Sequence, residues 1–149
     1  MNKTWPTVAA AAALSFVALV APAHAAAAAS GTVGSWRATV TRPGATENIT
    51  LDFYADGRVC LEVDGGKSPG WWHGTGHQTF NYKIKENMFD PSGNLLGWVK
   101  IDQDAVRSGT AFTSQGISRV YNPDGTLRDS VHVTVDATRQ SGHPSGTPC

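Results

Sequence analysis

Past residue 25 the chain carries no sustained helical period of apolar side chains, which argues against a helical bundle. It has no second long apolar run either, so nothing there offers the roughly 20 residues that a helix needs to cross a bilayer. The 12 Lys and Arg are matched by 12 Asp and Glu and form no cluster. A phosphate backbone or an anionic membrane would find no basic patch, and nucleic acid is not expected as a partner. No nucleophile elbow, Walker loop, Rossmann glycine set, zinc signature or EF-hand loop occurs, so no cofactor is implied. Ser114 and Ser118 have no His or Asp at triad spacing.

The apolar run that does exist lies at the start. Lys3 precedes Val8–Val20, and Ala23-His24-Ala25 follows with the small-x-small pattern of a signal-peptidase site. Residues 1–25 read as a signal peptide cleaved near Ala25, 26–33 as a disordered Ala-rich linker, and the protein as secreted. The remaining chain of about 124 residues is enough for one domain with a modest core. Cysteine is scarce, with only Cys60 and Cys149. In an exported chain an intrachain disulfide is the first reading, with an intermolecular bridge or two free thiols as alternatives.

Period-two alternation fills the mature chain. Trp36, Ala38 and Val40 alternate with polar neighbours, as do Ile49, Leu51 and Phe53, and Val59, Leu61 and Val63. Phe80, Tyr82, Ile84 and Met88 continue the pattern, with Glu86 the polar exception on that face. Val99 with Ile101, Phe112 with Val120, and Val131, Val133 and Val135 complete it. Turn residues separate these runs at Pro43-Gly44, Asp56-Gly57, Asp64-Gly65-Gly66, 90–94, Ser108-Gly109 and 122–125. About eight strands result: 34–42, 47–55, 58–63, 70–75, 78–89, 95–104, 110–121 and 127–139. Short sequential connections predict an all-β fold, a single antiparallel up-and-down β-barrel over 34–139, because eight strands suffice to close a sheet around side chains or one small ligand. Residues 140–149 read as an irregular tail. Cys60, of opposite parity to Val59 and Leu61, should point outward, where that tail could reach it.

Gly34-Ser35-Trp36 opens the first strand and Arg139 closes the last, on the same parity as Val131, Val133 and Val135. This pair resembles the lipocalin-like, calycin-type small β-barrel. The resemblance implies a Trp plugging the closed end with an Arg from the final strand across its indole. A guanidinium over an indole gains cation–π attraction where water is excluded.

Three functional readings follow. In the first, the barrel binds a small, mainly apolar molecule among Trp36, Phe53, Trp72, Tyr82 and Phe112. In the second, it is a cofactor-independent cyclase or isomerase acting on a polyketide- or lipid-like substrate. Glu86, its pKa raised by burial, would then do acid–base work, and Tyr82 would donate to a carbonyl. In the third, a protein partner docks through Trp71 and Trp72. His73 and His77 have no third ligand at motif spacing, so the histidines read as solvated and metal is not expected. Asp102 and Asp104 read as a solvated strand end rather than a glycosidase pair.

Overall fold

The computed structural model describes residues 31–149. The expected signal peptide, its cleavage site and residues 26–30 of the expected linker lie outside the described residues.

Eight strands follow one another in chain order: β1 (Gly34–Arg42), β2 (Ala45–Phe53), β3 (Arg58–Val63), β4 (Gly66–Gly74), β5 (Thr79–Phe89), β6 (Leu95–Ser108), β7 (Ala111–Tyr121) and β8 (Leu127–Ser141). Each pairs antiparallel with the next, and β8 pairs back onto β1, closing the barrel. Closure leaves no long edge strand open to mispairing. The barrel is compatible with a lipocalin-like fold. No helix among the described residues is long and apolar enough to cross a membrane.

The alternation explains the register. Trp36 sits opposite Leu51, Leu51 opposite Leu61, Tyr82 opposite Gln103 and Ser114 opposite Val135. Each pairing joins two inward residues, so apolar side chains from all eight strands face one interior. A one-residue slip anywhere would turn a strand's apolar set out to water. The Asp64-Gly65 turn shows the local chemistry. Both residues have positive φ, 49° and 78°, as a two-residue hairpin of the primed type requires.

Alternating hairpins divide the barrel into two ends. The turns at 43–44, 64–65, 90–94 and 122–126 ring one end. The other end has the turns at 54–57, 75–78 and 109–110, the entry at Gly34 and the exit at Ser141. This second end is closed. The Arg139 guanidinium lies 4.7 Å from the Trp36 ring centroid and donates to the Gly31 carbonyl. The Trp36 Nε1–H donates to the Thr32 carbonyl at 2.9 Å, and Thr32 is fully buried.

The tail after β8 runs back across the outside. Cys60 and Cys149 form a disulfide with Cα atoms 5.6 Å apart, and the Ser145 hydroxyl donates to Asp52 at 2.8 Å. Cys60 points outward between Asp52 and Pro69, yet it is buried.

Candidate binding cavity

Three layers stack inside the barrel. At the closed end, Trp36, Phe53, Trp72, Phe80 and Phe112 pack edge to face. Ring centroids lie 5.0 Å apart for Trp36 and Phe112, 5.4 Å for Phe53 and Phe80, and 5.8 Å for Phe53 and Trp72. All five are buried. Aromatic pairs at these spacings add about 0.5–1.5 kcal/mol each beyond the area they bury, so this layer is a solid plug. Trp72 is anchored by its Nε1–H, which donates to the Tyr54 carbonyl at 2.9 Å.

Above the plug lies a polar layer. Tyr82 bonds Ser114 Oγ at 2.9 Å, and the Ser114 hydroxyl donates to Gln103 Oε1 at 2.9 Å. Ser114 has one proton and gives it to Gln103, so the Tyr82 hydroxyl must be the donor in the first bond. Burial pushes the Tyr82 phenol well above its ordinary pKa, and the Ser114 bond only partly opposes this. The relay ends at the Gln103 Nε2 amide, which is fully buried and has no hydrogen-bond partner. An orphaned buried donor costs about 1–3 kcal/mol.

Beyond that layer the interior is hollow. A cavity of about 290 Å³ is lined by Ile49, Leu61, Ile101, Val131, Val133 and other aliphatic side chains, with Tyr82 and Gln103 also on its wall. An apolar cavity of about 150 Å³ already accepts benzene, and small-molecule sites begin near 300 Å³. The cavity therefore has room for one small ligand.

Arg42, Glu47, Glu86 and Arg128 stand toward the open end of the same cavity. Arg42 and Glu47 approach to 3.7 Å. The Glu86 carboxyl is pushed above the usual carboxylate range, first by burial and then by Glu47, while Arg42 opposes the shift. The hairpins above carry the exposed apolar side chains Phe89, Leu95, Leu96 and Leu127.

The residues expected at a ligand thus separate by height. Trp36, Phe53, Trp72 and Phe112 form the plug, Tyr82 reaches the cavity wall, and Glu86 lies farther up toward the mouth. Trp71 and Trp72 do not share a surface. Adjacent strand residues project to opposite sides, which leaves Trp71 65% exposed and Trp72 in the interior. His73 is exposed. Asn81 donates to Asp102 and Asp104, at 2.9 Å each, on the outer face. Among the described residues, no three His, Cys, Asp or Glu gather in a group that could hold a metal.

Gln103, Ser114, Arg42, Glu47 and Arg128 are absent from the sequence-derived set. A signal existed for four of them, since Ser114, Arg42 and Glu47 share the inward parity of Phe112, Val40 and Ile49. Gln103 falls between Ile101 and Ala105 on the inward parity, an amide placed in an apolar row.

No protein-family model, curated protein or solved structure matches this chain, so the cavity's own chemistry carries the functional reading.

Proposed function

We propose that this barrel binds a small, mainly apolar molecule in its interior. The observation that carries the reading is the cavity of about 290 Å³ above a solid aromatic plug, walled chiefly by Val, Ile, Leu and Met side chains. Filling it would replace missing van der Waals partners and remove apolar wall from water. The Cys60–Cys149 bridge supports an oxidising, extracytoplasmic setting, in keeping with the signal peptide read from the sequence. The test is methyl-detected NMR with C6–C10 aliphatic probes. Shifts should concentrate at Ile49, Ile101, Val131 and Val133 and vanish in the cavity-filling variant Val133→Phe. If no probe perturbs the wild-type methyls, the reading fails.

Glu86 supports a second reading, a cofactor-independent isomerase or cyclase. A carboxyl raised by burial and lining a cavity is suited to acid–base work. Oct-4-en-2-one offers a test. Moving a proton from C3 to C5 shifts the double bond into conjugation, which ultraviolet absorbance follows. Turnover above the buffer rate that Glu86→Gln abolishes supports this reading, and its absence removes it.

A further inference from the structure

The buried relay has a direction, and that direction specifies one end of the ligand. Tyr82 donates to Ser114, and Ser114 donates to Gln103 Oε1. Every hydroxyl proton of the relay is used, and the one group left over is the Gln103 Nε2 amide, buried without an acceptor on a residue that lines the cavity. Turning the amide over would be worse. Gln103 Oε1 would then lack a donor, and one hydroxyl proton of the Tyr82–Ser114 pair would lack an acceptor. The polar layer is therefore complete except for a hydrogen-bond acceptor.

Its position matters as much as its chemistry. Gln103 sits directly opposite Tyr82 on β5 and Gly116 on β7. Tyr82 in turn packs against plug residues Phe53 and Phe112, with ring centroids at 5.6 and 6.4 Å. Gln103 is thus at the floor of the cavity, while the aliphatic wall rises toward the charged mouth. We propose that the ligand enters with a carbonyl-type acceptor leading. Its oxygen is received by Gln103 Nε2, and its aliphatic body lies along Ile101, Val133 and their neighbours. The inference rests on the cavity-binding reading above and adds the ligand's polar group and its orientation.

The experiment compares two shape-matched probes, 2-octanone and 2-methyl-1-octene, which differ in having C=O or C=CH2 at the same place. Wild-type protein should bind the ketone at least tenfold tighter. Gln103→Leu should remove that preference. Infrared spectroscopy of the ¹³C-labelled carbonyl bound to wild-type protein gives a readout that needs no variant. The band should shift to lower frequency than in hexane, as a hydrogen-bonded carbonyl does. Equal binding of ketone and alkene, or an unshifted band, overturns the acceptor-first proposal and leaves apolar binding standing. Failure of both probes to bind overturns both.

Discussion

At the residue scale, the inner face mixes groups that water would otherwise claim, and each has a physical consequence. Glu86 is the clearest. Its carboxyl is raised by burial and by Glu47, so the folded chain favours the neutral acid. Below the ordinary carboxylate range that preference has no cost. As pH rises through the raised value, the folded state must carry a poorly solvated charge and loses stability. Glu86→Gln keeps the shape and removes the charge. The variant should melt higher than the parent at pH 7.5, by up to about 1 kcal/mol once solvent screening near the mouth is allowed for, and equally at pH 4. Thermal melts at the two pH values check this, and a variant less stable at pH 7.5 would show that Glu86 is held by a favourable ion pair instead.

At the scale of elements, two features set the barrel's tightness. Gly116 is an inward position where β6 and β7 approach closely, and a Cβ there would overlap the Asp102 carbonyl. Glycine inside a strand commonly marks such a close approach. Gly116→Ala should cost about 1–3 kcal/mol, the usual range for overpacking, read as a lower urea midpoint. The tail is the second feature. Its disulfide spans 89 residues, and in the chain-entropy picture closing such a loop contributes about 4–5 kcal/mol. Cys149→Ser should remove much of that and release the tail to proteolysis after Ser141. Unchanged stability would mean that the Ser145–Asp52 contact suffices.

Strand positions were largely legible in the sequence because turn residues bound them. The expected and observed limits coincide for β1 and β3 and differ by two residues at most for β2, β5, β7 and β8. β4 was expected from 70 and begins at Gly66. Gly66-Lys67-Ser68-Pro69 has loop composition, yet the tight Asp64-Gly65 turn forces pairing to resume at once, opposite Val63. β6 likewise runs on to Ser108. The site was less legible. Period-two alternation reveals which side chains face inward but not their height along the barrel, which depends on the register between strands. The inward aromatics therefore read as ligand contacts, whereas height divides the plug from the cavity.

For the whole molecule, the closed end is where chain entry, chain exit and core meet. Arg139 joins the last strand to the Trp36 ring and to Gly31. Arg139→Met retains much of the side chain's bulk and removes both interactions. It should lower stability by about 2–3 kcal/mol, given a desolvated cation–π contact and a charge-assisted hydrogen bond. Because the cavity lies beyond two packed layers, ligand affinity should change less than threefold. Chemical denaturation and titration on the same variant separate the two effects, and a large loss of affinity would mean that the base and the cavity are coupled.

Entry at Gly34 and exit at Ser141 fall at the same pole, opposite the charged opening. The barrel is thus a cup held by its base. Anything fused near Gly31 would grip it from beneath and leave the rim facing away, so immobilisation on a sensor surface through that side should keep the cavity accessible, whereas attachment at the 90–94 or 122–126 hairpin would turn the cup onto its lip.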